Sequence, residues 1–212
     1  MTIAIPRLDR TTAAERGLTL ADFLVPISVG ERLNPRLRHV VLIATGALFI
    51  YLTARLVIPR DPVPWTGQTF GVLLVGGALG ARRGFAAVAL YVLLGLVGLP
   101  FFAEGRGGSA VILGATGGYL IGFIVAGAIV GRLAELGWDR HIGGAIGMML
   151  VGSVVIYALG LPWLSVVAHL SPADTIAKGL APFVLWDAVK LAVAAGIFPT
   201  AWWLIGRRPD DR

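Results

Sequence analysis

Near the end of the chain, Pro182-Phe-Val-Leu-Trp-Asp-Ala-Val-Lys-Leu-Ala192 sets a carboxylate and an ammonium inside an apolar run. An ionisable group at the centre of a membrane helix costs roughly 2.5–3.5 kcal/mol on insertion scales, and such groups mark functional sites. Asp187 and Lys190 stand at i and i+3, on one helical face. Long helical side chains lean toward the helix N-terminus, so Lys190 reaches back toward Asp187 and the two heads converge. Only two of the 18 basic residues are lysines, so Lys190 is not what local composition would supply. The pair could hold a ligand with N–H donors at one point and a carboxylate or carbonyl at another. It could equally be a structural ion pair that fastens the last helix to its neighbours.

Weaker candidates lie upstream. Thr66, Gln68 and Thr69 offer hydrogen-bonding groups in Pro59-Arg-Asp-Pro-Val-Pro-Trp-Thr-Gly-Gln-Thr69, a connection stiffened by three prolines. Trp65, Phe101, Phe102, Tyr119, Trp163 and Trp186 could wall an apolar slot, although interfacial aromatic belts account for many such residues.

Several chemistries are missing. There is no Cys, hence no disulfide, thiolate metal site or Cys nucleophile. Neither Lys178 nor Lys190 follows Gly, so the chain has no Gly-Lys-Ser/Thr phosphate loop and no ATPase machinery of that type. His39, His141 and His169 have no metal-ligand spacing. Ser109 has no basic partner at membrane depth, as an intramembrane nucleophile would require. The Gly-rich stretch 105–118 resembles a phosphate nest only loosely, and close backbone approach explains it equally well. These absences argue against an enzyme. An enzyme using Asp187 as a general base would need a second carboxylate or a His inside the spans, and neither is there.

The elements that must position these residues are set by composition. Of 212 residues, 57% are hydrophobic and 14% charged, with mean hydropathy +0.82; soluble domains average about 25% charge. Such a chain cannot hide its apolar surface in water, and the 29 Gly interleaved with Leu, Val and Ile suit close helix packing in a bilayer. The formal charge of +6 is no nucleic-acid signal, because the arginines fall in small groups at the ends of apolar runs.

Apolar runs at 39–58, 69–80, 84–99, 116–133, 142–160 and 183–205 predict an all-α integral membrane protein with six transmembrane helices. Ala81-Arg82-Arg83-Gly84 is read as a tight turn, since two arginines at the middle of one long helix would be costly. Six spans put both termini on one side. With the N-terminus inside, 13 Lys and Arg fall on the inner side and four on the outer, with Lys190 inside the last span. The positive-inside rule therefore makes both termini cytoplasmic in a multi-pass cell (inner) membrane protein. The expected organisation is a polar cytoplasmic tail over 1–38, a six-helix substrate-binding domain over 39–206 and a short cytoplasmic tail over 207–212. The longer outer connections point to a site that captures something from outside.

Five segments in order carry a family resemblance: Pro62-Val-Pro-Trp-Thr-Gly-Gln-Thr69, Leu79-Gly-Ala-Arg-Arg-Gly84, Leu94-Gly-Leu-Val-Gly-Leu-Pro100, Gly114-Ala-Thr-Gly-Gly-Tyr-Leu-Ile-Gly-Phe123 and Asp187-x-x-Lys190. Over about residues 40–206 the chain resembles the BioY family, the biotin-specific substrate-binding (S) components of energy-coupling factor (ECF) transporters. The resemblance implies an S-component-like bundle that binds biotin near the outer face and is not an enzyme. It implies no cofactor, biotin being cargo, and as partners membrane lipid, a transmembrane T component and a pair of ATPases. Self-association stays open.

Carried over position by position, Asp187 and Lys190 would hold the polar ends of biotin, and Gln68 and Thr69, with Thr66 beside them, belong to the loop that closes the site. Gly107, Gly108, Gly117, Gly118 and Tyr119 match the Gly-rich lining, with Trp186 beside the charged pair. Glu104 and Arg106 put charges where the family loop is usually small or neutral. The first span, Ala44-Thr-Gly-Ala-Leu-Phe-Ile-Tyr51, lacks the clean Ala-x-x-x-Ala stripe with which S components dock on T. The alternatives are a transporter subunit for another small vitamin or carboxylate, or a structural membrane subunit.

Overall fold

The computed structural model describes residues 18–24 and 34–205. In chain order its helices are α1 (Leu20–Leu24), α2 (Pro35–Ala54), α3 (Gln68–Leu79), α4 (Ala81–Leu96), α5 (Ser109–Leu113), α6 (Gly117–Glu135), α7 (Ile142–Val167), α8 (Pro172–Gly179) and α9 (Val184–Ile205). A two-residue antiparallel ladder, β1 (Val57–Ile58) and β2 (Trp65–Thr66), folds the connection between α2 and α3 back on itself. Among the described residues, four helices are long and apolar enough to cross a membrane: α2 from Arg36, α6, α7 and α9. The protein is therefore mostly helical and a multi-pass membrane protein.

α6 is the central helix. It packs along α7, α3 and α4, and 61% of its apolar window is buried, against 22% for α9 and 28% for α2. The core between these helices holds Val72, Val88, Val130, Met148, Ile156 and Phe198, all essentially inaccessible. On the outward faces Val40, Leu52, Leu93, Val154, Leu185 and Leu204 stand exposed. Large apolar side chains around the whole girdle are what a lipid environment selects.

Three elements differ from the sequence expectation in ways that matter for the site. The turn predicted over 81–84 is a single residue, Gly80, at φ 83°. That left-handed conformation suits Gly, so Arg82 and Arg83 fall in the first turn of α4 rather than in the connection. The Ala81 N–H there donates to Glu135 Oε1 at 2.9 Å, which satisfies an otherwise orphaned helix-end donor. The run expected to end at 160 continues helically to Val167 through Pro162, and the connection beyond it folds partly into α8. α2 begins at Pro35, with Asn34 Oδ1 accepting from the Arg36 N–H at 3.1 Å, four residues before the expected start.

The two ends of the bundle differ. One end gathers the starts of α3, α6 and α9, and the other gathers the starts of α4 and α7 with α1. At the second end Leu20 and Ala21 are buried, and Phe23 packs edge-on against Trp202, 5.3 Å between centroids. Arg83 forks onto Asp22, Nη1 to Oδ1 at 2.8 Å and Nη2 to Oδ2 at 2.9 Å. Arg38 reaches the same carboxylate at 3.5 Å, and Arg140 donates to the Leu18 carbonyl at 3.0 Å.

Candidate functional site

At the first end, a pocket opens between the start of α3, the connection after α4, the first turns of α6, the middle of α7 and the start of α9. Val63, Phe102, Leu120, Phe123, Ile156 and Phe183 give it apolar walls. Thr66, Gln68, Thr69, Arg106, Thr116, Tyr119, Tyr157 and Lys190 bring polar groups to it. Apolar walls with a few convergent polar groups are the usual make-up of a small-molecule site.

Lys190 is the cation that a membrane helix brings to this pocket. Its Nζ donates to Thr69 Oγ1 at 2.9 Å and to Asp187 Oδ1 at 3.1 Å, which leaves one of its three N–H donors for a ligand. The other oxygen of Asp187, Oδ2, accepts from the Tyr157 hydroxyl. Asp187 itself faces an adjoining smaller cleft, together with Thr69, Phe70, Leu73, Met149, Ser153 and Lys190. The i, i+3 pair expected from sequence is thus formed, and it is tied to α3 through Thr69 and to α7 through Tyr157.

The start of α3 is arranged by its own side chains. Thr66 Oγ1 donates to Gln68 Oε1 at 2.9 Å and accepts from the Gln68 backbone N–H at 3.3 Å. The Gln68 side-chain amide donates to the buried Tyr91 hydroxyl at 2.5 Å. Tyr119 donates to the Gly179 carbonyl at 3.0 Å, which links α6 to the end of α8.

The remaining sequence candidates frame the pocket without lining it. A Cβ on Gly117 would collide with the Ile112 carbonyl oxygen, and one on Gly118 with the Trp163 side chain, so both let α6 start against neighbouring backbone. Gly107 abuts the Leu99 carbonyl in the same way. Gly108, at φ 90°, turns the chain into α5. Trp186 is 45% exposed, its ring centroid 6.1 Å from that of Trp65. Of the proposed aromatic wall, Phe102 and Tyr119 line the pocket; Trp163 instead donates Nε1 to the Gly114 carbonyl at 2.9 Å.

Sequence reasoning did not find Tyr157 as a site residue. The only signal was the one tyrosine in a 26-residue helix whose other hydroxyls are Ser153 and Ser165. Arg106, noted only as a charge out of place, reaches the pocket while paired with Glu104 at 3.1 Å. Among the described residues no group of three or more His, Cys, Asp or Glu is placed to hold a metal.

A profile of the BioY family matches residues 25–207. The biotin transporter BioY of Thermotoga maritima is 40% identical over 163 residues, covering 75% of this chain and 92% of that protein. The biotin transporter BioY2 of Lactococcus lactis subsp. cremoris is 35% identical over 173 residues, covering 79% of this chain and 91% of that protein. A crystal structure of the S-component for biotin from an ECF-type ABC transporter superposes with a TM-score of 0.72 at 28% identity, covering 80% of this chain and 93% of that one. With a family profile running almost the full length and relatives matched over nine-tenths of theirs, this chain belongs to the BioY family.

Proposed function

We propose that this chain captures biotin at the outer face of a cell membrane and hands it to the cytoplasm, in company with a transmembrane T component and a pair of ATPases supplied by other chains. The observation that carries the reading is Lys190: a lysine set in an apolar helix, lining an aromatic and aliphatic pocket with one N–H uncommitted. Biotin has a cyclic urea, an apolar bicycle and a carboxylate. A pocket with apolar walls and an ammonium–carboxylate pair at one side complements the first two, and Arg106 offers a cation for the third.

In this reading Lys190, Gln68, Thr69, Thr66 and Tyr119 address the ligand, and Asp187 sets the charge balance around Lys190. Gly107, Gly108, Gly117 and Gly118 let the surrounding backbone close in, and Trp186 stands at the rim. Six helices, α2, α3, α4, α6, α7 and α9, cross the membrane, over a domain of residues 39–206 flanked by cytoplasmic segments 1–38 and 207–212. The excess of 13 basic residues on one side against four supports that orientation. Lipid surrounds the bundle, and ligand binding needs no cofactor. The relatives named above are transporters, so the activity is binding and uptake rather than catalysis.

Equilibrium binding of biotin to the purified chain in detergent tests this. Lys190→Gln removes a charge-assisted hydrogen bond, worth about 1.5–3 kcal/mol, and should weaken biotin by about one to two decades while the protein still folds. Failure of the wild-type chain to bind biotin, or unchanged affinity in Lys190→Gln, would overturn the reading.

A further inference from the structure

We infer that Arg55 and Arg60 are capture residues. At the mouth of the pocket they meet the carboxylate of an incoming ligand and speed its entry, without touching the ligand once it is seated. The inference rests on the ligand-binding and outer-face readings above and adds how an anionic ligand is gathered.

In that orientation four basic residues lie outside: Arg55, Arg60, Arg106 and Lys178. Charge bias works against Lys and Arg on that side, so their positions there need another cause. Lys178 stands four residues after Asp174 on α8, the spacing of an ordinary surface pair. The other three gather at the pocket. Arg106 lines it. Arg55, at the end of α2, lies against the connection that carries Arg106: a Cβ on Gly105 would stand 2.8 Å from Arg55 Nη1. Arg60 lies over the Trp65 ring, 5.4 Å from its centroid. That ring in turn meets the pocket wall edge-on at Phe183, 6.5 Å between centroids.

The two rim arginines differ from Arg106 in how they are held. Arg55 lies over the Tyr51 ring, 6.0 Å from its centroid, as Arg60 lies over Trp65. Among the described residues neither is paired with a carboxylate. A guanidinium resting on a ring uses its flat face and keeps its N–H edge free, and that edge is what a carboxylate binds. Both residues are exposed, so an anion reaches them while still hydrated. Arg106 already has Glu104 at 3.1 Å. An arriving carboxylate therefore finds the rim open and the inner arginine occupied, which separates gathering from seating.

The carboxylates at this mouth are Glu104 and Asp61, next to Arg60 in sequence; deeper in, Lys190 and Asp187 balance each other. Three arginines against two carboxylates leave an excess of positive charge. The N-termini of α3, α6 and α9 add positive partial charge at the same end. Such a field acts on encounter: it raises the on-rate of an oppositely charged ligand and fades as salt rises. Rim charges change kon, whereas buried contacts set koff. The mouth accordingly favours a small carboxylate over its neutral ester by rate of entry.

The test measures association and dissociation of radiolabelled biotin, and of its neutral methyl ester, on the full-length purified chain in uncharged detergent. Salt runs from about 20 to about 500 mM, which shortens the screening length several-fold, and melting temperatures are recorded alongside. In the double variant Arg55→Gln/Arg60→Gln, kon for biotin should fall about three- to tenfold at low salt and meet the wild-type value at high salt, with koff within about twofold. The methyl ester should enter both proteins at one rate, whatever the salt. Asp61→Asn should raise kon for biotin about two- to threefold at low salt. A double variant with wild-type kon, a loss that salt does not erase, a loss carried by koff, or a methyl ester as salt-sensitive as biotin overturns the inference and leaves biotin binding standing. A wild-type chain that binds no biotin overturns both.

Discussion

Asp187 and Asp22 are both carboxylates gripped by cations, at opposite ends of the same helices, and they are built to different ends. Asp22 takes a bidentate arginine fork from Arg83, a third contact from Arg38, and the Thr19 N–H and hydroxyl at 3.0 and 3.1 Å. Paired fork geometry is the strongest way to hold a carboxylate, and five donors leave it little capacity for anything else. Asp187 has one lysine and one tyrosine. Its cation is a flexible point charge with a spare donor, shared with α3 through Thr69. Redundant donors hold a structure together, and a spare one is what the proposed ligand would use.

The sharpest way to break that contrast is to treat the Asp22 end as if it were a site. Asp22→Ala strands the Arg83 guanidinium, whose side chain is 15% exposed. Removing one partner of a buried pair costs about 3–5 kcal/mol, and the partial exposure places this one near about 3 kcal/mol. The melting temperature should fall while biotin affinity stays within about threefold, since the pocket lies at the other end of α3 and α4. A tenfold loss of affinity would show that the two ends are coupled.

A somewhat smaller effect concerns pH. Burial pushes the carboxyl of Asp139 up to about 6, against the lowering by the Trp202 N–H and by Arg140. The folded state then binds the proton more tightly than the unfolded chain. This contribution to stability is full below the ordinary value of 3.8 and is lost as pH rises to about 6. Asp22 runs the other way. Burial raises its carboxyl, but the Arg83 and Thr19 hydrogen bonds and the Arg83 charge outweigh it and hold it below 3.8, so its contribution is kept above that value and lost in stronger acid. Melting curves from pH 4.5 to 7.5 should show stability declining with rising pH by about 2 kcal/mol through Asp139. Asp139→Asn should flatten the decline, because the Trp202 N–H, 2.7 Å from Oδ2, still finds an acceptor. A slope unchanged by Asp139→Asn would remove that residue from the account.

The smallest effect is a control on the site itself. Trp186 is one residue from Asp187 in sequence but lies outside the pocket and is about half exposed. Trp186→Phe should change stability by less than about 0.5 kcal/mol and biotin affinity by less than about twofold. A larger loss of affinity would make Trp186 a ligand contact rather than a rim residue.

Much of this was legible in one dimension. The apolar runs are a local property, and the chain forms a helix in each of them. Asp187 and Lys190 stood out because charge in such a run is expensive, and their spacing alone placed them on one face. What stayed hidden depends on how helices rotate about one another. Lys190 meets Thr69 across 121 positions, and Arg83 meets Asp22 across 61. Nothing local tells which face of α7 turns Tyr157 toward α9. The turn needs only one left-handed residue, Gly80, and a lone Gly beside two arginines carries a weaker local signal than the charges do. Asp22 lay unmarked in the polar segment 1–38, and it is the polar anchor by which α1 docks.

α3 is a short helix. Its 12 residues rise about 18 Å, well under the roughly 30 Å of a bilayer core. Most of its length is buried among α2, α4 and α6, so its shortness imposes no mismatch on the surrounding lipid. The connection that precedes α3 buries Val63 and Pro64 against the bundle, while Pro59, Arg60 and Asp61 stand exposed. A ligand reaching Thr66, Gln68 and Thr69 would pass between the apolar walls of Val63, Phe102, Phe123 and Phe183 and shed water there before it meets its partners. Dehydration becomes the discriminator: each polar atom of the guest that finds no counterpart carries its full desolvation cost. A molecule with few polar atoms, all of them matched, enters, and close analogues with one unmatched group are turned away by water itself.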